Sequence, residues 1–321
     1  MKLFHATRSN YSLKQAAQKA RRCLAQAFGM RREMQDTCRL YTDLAWLWPM
    51  WGDAATEYAH YCQHVTGLIR QHARRPATTL LDIGCGGGKN VLNLKRQFNV
   101  TGVDLSAAML AQAKELNPEC TFVQDDMRTC RLGRAFDAVL MDDAISHMKC
   151  RTDFVAAFRT AHAHLNPGGI LVTTPDVTTE TFQQNKTSTT PATRDGVDVV
   201  FIENVYDPDP TDEQYETTIL YLIREHGRLR IETDHWTMGV FSLDMWRRVL
   251  RETGFEVHVG RYNAGDDGRS YLRDAEVGFE ANRILTGASR SRASWAGNRE
   301  PGEWRVENGQ REDRCSRSGG D

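Results

Sequence analysis

Between Thr78 and Thr174, short apolar runs alternate with longer stretches whose apolar residues recur at helical spacing. Thr79 to Ile83 is an apolar run stopped by glycines, which reads as a buried strand. Asn90 to Phe98 carries Val91, Leu94 and Phe98 on one helical face. Val100 to Val103, Thr121 to Val123, Phe136 to Met141 and Ile170 to Thr174 predict four further strands. Between them, Ser106 is placed to cap a helix that buries Met109, Leu110, Ala113 and Leu116, and Asn117-Pro118 stops it. Another helix presents Phe154, Val155, Phe158 and Leu165, and Asn166 to Gly169 breaks it. Repeated strand–helix units of this length predict an α/β fold: a mostly parallel sheet with helices on both faces. Ligands of such sheets bind beyond the carboxyl ends of the strands.

The pattern then changes. Val197 to Tyr206, Tyr215 to Ile223 and Leu229 to Trp236 alternate apolar and polar residues, which predicts a small antiparallel insert over about 195–237. Such an insert can roof a pocket, with Tyr206, Tyr221, His235 and Trp236 as candidate lining, or pair two subunits as a homodimer. Ser242 caps a helix with Met245, Trp246 and Leu250, and Gly254 stands where a C-cap belongs. Phe255 to Val259 predicts a sixth strand and Ala275 to Ile284 a seventh.

The two ends differ from this core. Residues 1–32 hold no Asp or Glu and many Lys and Arg, with Leu13, Ala17, Ala20, Leu24 and Phe28 near helical spacing. Segment 1–40 therefore reads as a basic helix or a mitochondrial presequence. The main domain is expected over 41–285. Segment 286–321 is rich in Ser, Arg, Gly and Glu and reads as a disordered tail. The net charge of −1 over 321 residues gives no reason to expect nucleic acid or an anionic membrane as partner. No apolar run is long enough to cross a bilayer. The eight cysteines form no C-x-x-C pair and read as free thiols; a cytoplasmic location and no metal are expected.

The chemistry concentrates after the first strand. Asp82-Ile83-Gly84-Cys85-Gly86-Gly87-Gly88 leaves a strand and opens a helix, where glycines let backbone approach a ligand. Asp104 ends the second strand, about 20 residues on, where a carboxylate can hold ribose hydroxyls. A nucleoside-containing cofactor is expected. The dinucleotide spacing fails, because counting from Gly84 the third glycine is replaced by Lys89. A phosphate-binding P-loop fails as well, since Asn90 follows Lys89. Asp82 at the mouth of the loop would repel pyrophosphate and favour a cationic ligand.

These residues resemble the first motif of the class I S-adenosylmethionine (SAM)-dependent methyltransferases. Gly102 to Ser106 with Met109-Leu110 resembles the second motif, Gln124 to Met127 the adenine-contacting stretch, and Phe136 to Leu140 the fourth strand. Leu165 to Gly169 resembles the turn before the fifth. The resemblance covers about Tyr41 to Leu285. It implies a Rossmann-like sheet of seven mostly parallel strands with SAM as cofactor, the last two strands forming a reversed hairpin. It implies that Asp82, Gly84, Gly86 and Gly88 surround the methionine part of SAM. Asp104 and Leu105 would serve the ribose side, Asp126 would accept from the adenine amino group, and Met127 would pack on the ring.

The loop after the fourth strand, Asp142 to Met148, should face the transferred methyl group. It resembles that of small-molecule N-methyltransferases acting on amino-deoxysugars, which places His147 at the reacting amine as the catalytic residue. Asp142 and Asp143 depart from that group; they would suit a cationic amine, or they cap the following helix. Asp142 is assigned to the cofactor; Asp143 and His235 are assigned to the substrate, with Tyr41 from a Trp- and Tyr-rich lid. The expected activity is methyl transfer to a small molecule, more N- than O-directed. An RNA or protein substrate, or SAM binding without catalysis in a regulatory protein, are the alternatives.

Overall fold

Leu80 to Ile83 are buried along their whole length, because strand β1 (Thr79–Ile83) has a neighbour on each side and helices above and below. The structure, a computed structural model, describes residues 36–261 and the backbone of 283–289. Apart from residue 36, these belong to one compact unit that begins at Thr37. The basic segment 1–32, residues 275–282 and residues 290–321 lie outside the described residues.

Five strands form a parallel ladder: β1, β2 (Asn99–Asp104), β3 (Thr121–Gln124), β4 (Phe136–Met141) and β5 (Leu165–Thr173). In space they run β5-β4-β1-β2-β3, so the order reverses between β1 and β4. That reversal opens a crevice at the carboxyl ends of β1 and β4, where ligands of doubly wound sheets sit. Beyond β5, β11 (Arg283–Ser289) pairs antiparallel with both β5 and β10 (Phe255–Arg261). The last strand thus lies later than the expected 275–284 and carries the sheet past the expected boundary at 285.

Alternation along the strands feeds two cores. Leu81, Ile83, Val139 and Met141 face Phe154 and Phe158 of α4 (Arg151–Ala163) and Trp246 of α5 (Leu243–Glu252). Leu80, Ala138 and Leu140 face Tyr61, Val65 and Ile69 of α1 (Glu57–His72) and Val91 and Leu94 of α2 (Lys89–Leu94). α2 is shorter than the expected 90–98. In α3 (Ala107–Leu116), Ser106 caps as expected, its hydroxyl accepting from Met109 N at 3.1 Å. Ser242 does the same for α5, accepting from Met245 N.

The insert is larger than the expected 195–237. It is a separate four-stranded antiparallel sheet of β6 (Lys186–Arg194), β7 (Val197–Tyr206), β8 (Gln214–Glu225) and β9 (Arg228–Gly239). Asp195-Gly196 and His226-Gly227 make its two-residue turns, all four with positive φ. One face is closed: Val199, Phe201, Ile219, Tyr221, Ile223 and Trp236 pack on Leu40, Leu44 and Leu47. The other face leaves Leu220 and Ile231 exposed. Leu40 to Leu47 belong to a strap of two short 3-10 turns, Arg39–Tyr41 and Ala45–Met50. Its start is held by Asp234 of β9, which is buried and accepts from Thr37 Oγ1, Arg39 N and Leu40 N. Within the described residues, the contacts of the strap with the insert thus reach back to Thr37. Among the described residues no helix is long and apolar enough to cross a membrane.

Candidate active site

Asp82 enters the crevice at the end of β1, between Gly102 of β2 and Leu140 of β4. It is 1% exposed, and neither carboxylate oxygen has a hydrogen-bond partner. Burial, and then the nearby Asp142, Asp104 and Asp143, push its pKa well above the usual carboxylate range. An unpartnered buried carboxylate is costly, and a cation in the crevice relieves that cost.

The loop after β1 wraps this point. Gly84 has φ +79°, and a Cβ there would stand 2.4 Å from Ala144 Cβ, so the two loops of the crevice touch only because residue 84 is glycine. The same Cβ would lie 3.4 Å from Met127 Cε, which puts the end of Met127 beside the glycine loop. Gly86 and Gly88 also have positive φ. Asp104 fixes the loop from β2: Oδ2 accepts from Gly86 N and Oδ1 from Ser106 N, both at 2.8 Å. Its pKa is raised by burial, with these amides opposing the shift. A carboxylate has about four acceptor sites, so capacity remains for two hydroxyls. Beside it Leu105 is 66% exposed, an apolar surface at the crevice mouth.

Asp142, after β4, does not cap the following turn. Tyr61 Oη donates to its Oδ1 at 2.7 Å and Asn90 Nδ2 to its Oδ2 at 3.2 Å. Two helices, α1 and α2, thus aim this carboxylate into the crevice beside Asp82; the sequence places Tyr61 among the aromatic residues of the lid rather than on Asp142, and it gives Asn90 no role in the site. Asp143 is exposed and starts the short turn Asp143–His147.

That turn carries His147 inward. His147 Nε2 lies 3.4 Å from Tyr41 Oη, and the rings meet edge to face with centroids 5.4 Å apart. Burial lowers the His147 pKa to about 4, so the imidazole is neutral in neutral water. Burial, then Asp143, raises that of Tyr41. Tyr41 also contacts Trp48 (6.1 Å) and Trp236 (5.7 Å), which completes an aromatic wall. Further along the insert's inner face, Tyr215 lies within the electrostatic reach of Asp176, Glu203 and Asp143. Glu203 is pushed up to about 7 by burial and by Asp176.

Two expected residues have other partners in this structure. Asp126 accepts from Arg128 N at 2.8 Å, and its Oδ2 pairs with the Arg128 guanidinium at 2.5 Å. It closes a turn, and Arg128 occupies the carboxylate that was expected to meet adenine. His235 pairs across the strands with Thr218 and bonds it at 3.1 Å, whereas Trp236 pairs with Thr217. Neighbouring strand residues face opposite ways, so His235 points away from the side that carries Trp236 and Tyr41. Tyr206 is 45% exposed at the end of β7 and Tyr221 is buried in the core against Asp234, so neither lines the wall.

The methyltransferase domain family matches residues 80–169. Over 143 residues the chain is 36% identical to a dTDP-3-amino-3,4,6-trideoxy-alpha-D-glucopyranose N,N-dimethyltransferase of Streptomyces venezuelae, covering 44% of this chain and 60% of that relative. It is 28% identical over 205 residues to a dTDP-3-amino-3,6-dideoxy-alpha-D-glucopyranose N,N-dimethyltransferase of Streptomyces fradiae, covering 63% and 78%. The crystal structure of Streptomyces venezuelae DesVI superposes with a TM-score of 0.64 at 25% identity, over 79% of this chain and 98% of that one. In its domain match and in these likenesses the chain is similar to the class I SAM-dependent methyltransferases.

The residues that line the crevice fit SAM. The orphaned Asp82 carboxylate and the braced Asp142 suit a ligand that carries an ammonium and a sulfonium. The spare acceptor sites of Asp104 suit ribose, and the exposed Leu105 and the partly buried Met127 suit an adenine face.

Proposed function

We propose that this methyltransferase moves a methyl group from SAM to the amine nitrogen of a small molecule, and that amino sugars are the first acceptor class to test. The observation that carries this reading is the pairing of neutral His147 with Tyr41 at the edge of the carboxylate-lined crevice. The names of the Streptomyces relatives supply the sugar part.

When bound, SAM supplies a methyl group already activated on a positive sulfur, so the protein's task is placement. Asp104 and the loop it braces hold the nucleoside side; Asp82 and Asp142 hold the cationic side. His147 Nε2 accepts an N–H of the neutral amine and turns the nitrogen lone pair toward the methyl carbon. With a pKa near 4 the imidazole is a weak base, so orientation is its main contribution. The proton released after transfer leaves through Nε2 to solvent. Tyr41, Trp48 and Trp236 exclude water, and their ring faces favour the positive charge that develops on the nitrogen as the methyl is transferred. Asp143 and Asp176 add negative potential around Tyr215 on the inner face of the insert. The test is a SAM titration followed by turnover on amino sugars, simple amines and phenols. Binding without turnover on any amine supports a regulatory role instead, and turnover on phenols alone overturns the N-directed reading.

A further inference from the structure

The first residue of α2 ties the lid to the glycine loop. Lys89 is 5% exposed and follows Gly88 directly. Its Nζ donates to Trp48 O at 2.9 Å and to Trp51 O. It also lies 4.8 Å from the Trp48 ring centroid and 5.4 Å from that of Tyr58. The accepting carbonyls stand at the end of the second turn of the strap, where Trp48 O also accepts from Trp51 N at 3.1 Å and Trp51 O lies just past the turn. One helical turn further along α2, Asn93 Nδ2 donates to Ala54 O at 2.7 Å.

The grip matters because of what Trp48 covers. A Cβ on Gly87 would stand 2.6 Å from Trp48 Cδ1, so the indole rests directly on the glycine loop. The same strap carries Tyr41, which meets His147. A second bond points the same way: Ser106 Oγ donates to Tyr41 O, while Ser106 N donates to Asp104. The strap therefore touches the cofactor side through Trp48 and the acceptor side through Tyr41. The floor of the crevice supplies the carbonyl-binding cation that keeps it down.

We propose that Lys89 is a positioning residue that latches the strap Arg39–Trp51 over the cofactor and so makes the acceptor site depend on cofactor occupancy. The proposal rests on the reading of the crevice as the SAM site. SAM enters while the latch is open. Lys89 then holds Trp48 over the loop and brings Tyr41 to His147.

The test compares the full-length protein with Lys89→Met and Lys89→Arg by hydrogen exchange over 39–51, by SAM titration calorimetry and by steady-state kinetics on a responsive amine. Lys89→Met is expected to speed exchange over 39–51. The KM values for SAM and acceptor should rise by about ten-fold, as for loss of a charge-assisted hydrogen bond, with kcat at saturation changed far less. Lys89→Arg, which keeps charge and donors, should restore both. A purely structural lysine would lower the melting temperature and active fraction without moving KM, and that result overturns the latch. Unchanged exchange over 39–51 in Lys89→Met also overturns it, even where wild-type protein binds SAM. Absence of SAM binding to wild type overturns the cofactor reading itself.

Discussion

Tyr41 and His147 are 106 positions apart in the chain, yet their polar atoms stand 3.4 Å apart, one on a strap and the other on the loop after β4. Burial keeps the histidine neutral, down to about pH 4. His147→Ala should therefore lower kcat by about 10²-fold, the low end for a positioned proton acceptor, while SAM affinity stays within about two-fold. His147→Gln, which retains an acceptor, should recover part of the loss. The acid limb of kcat/KM should follow the ammonium pKa of the acceptor and shift when a less basic amine is used; a limb fixed near 6.5 would count against the assignment. Stability supplies a second check. The folded pKa lies below the ordinary 6.5, so the unfolded chain binds more protons between about 6.5 and 4. The histidine's contribution is full above that window and is lost as pH falls through it. Urea melts should show this loss in wild type and a flatter profile in His147→Ala.

Asp82 links binding to stability with opposite signs. Its folded pKa is raised by burial and by three neighbouring carboxylates. Its contribution to stability is thus fully present below the unfolded pKa near 3.8 and is lost as pH rises through the folded value. At neutral pH the ligand-free protein bears the cost of this orphaned group. Asp82→Asn should raise the melting temperature of ligand-free protein and weaken SAM binding by roughly 1–3 kcal/mol. Thermal shift with and without SAM checks both halves. A variant that loses stability together with affinity would show that Asp82 serves the fold rather than the ligand.

The parallel ladder was legible because both faces of β1, β4 and β5 are covered, which leaves unbroken apolar runs between glycine- and proline-marked stops. The Asp82, Gly84 and Asp104 cradle was legible because its members lie at strand ends close in sequence. β6 was not. Lys186–Arg194 is an edge strand of Lys, Thr and Ser with Pro191 inside it, so hydrophobic periodicity is silent there. Its one local signal is Asp195-Gly196, a two-residue hairpin pair. His235 failed for a different reason: alternation says that His235 and Trp236 face opposite ways, but the sequence alone does not say which way is inward. The contacts of Trp48 with Gly87, and of Tyr61 and Asn90 with Asp142, join elements by tertiary packing and carry no local pattern.

Asp104 reaches the acceptor side through one intermediary. It accepts from Ser106 N, and Ser106 Oγ donates to Tyr41 O. Asp104→Ala should cost roughly 1–3 kcal/mol of SAM affinity, because charge-assisted bonds to ribose and the brace on Gly86 are lost together. It should also raise the acceptor KM measured at saturating SAM. Ser106→Ala should raise the acceptor KM with little change in SAM affinity. Steady-state kinetics with both substrates varied separate the two variants; equal effects of Ser106→Ala on both KM values would break the proposed line of contact.

Asp126 offers the sharpest contrast with the sequence reading. Its carboxylate is held by Arg128, which also bonds Asp153 at 3.0 Å, and both acids are partly exposed. Pairs of this kind contribute at most about 1 kcal/mol, because water screens them and two long side chains must be ordered. Asp126→Asn should accordingly shift stability by less than about 1 kcal/mol and leave SAM affinity within about two-fold of wild type. Met127→Ala should weaken SAM by more, since its methyl end lies at Gly84 on the floor of the crevice. Isothermal titration of the two variants decides the point. A large loss in Asp126→Asn with little in Met127→Ala would mean that Arg128 releases the carboxylate to adenine when SAM binds.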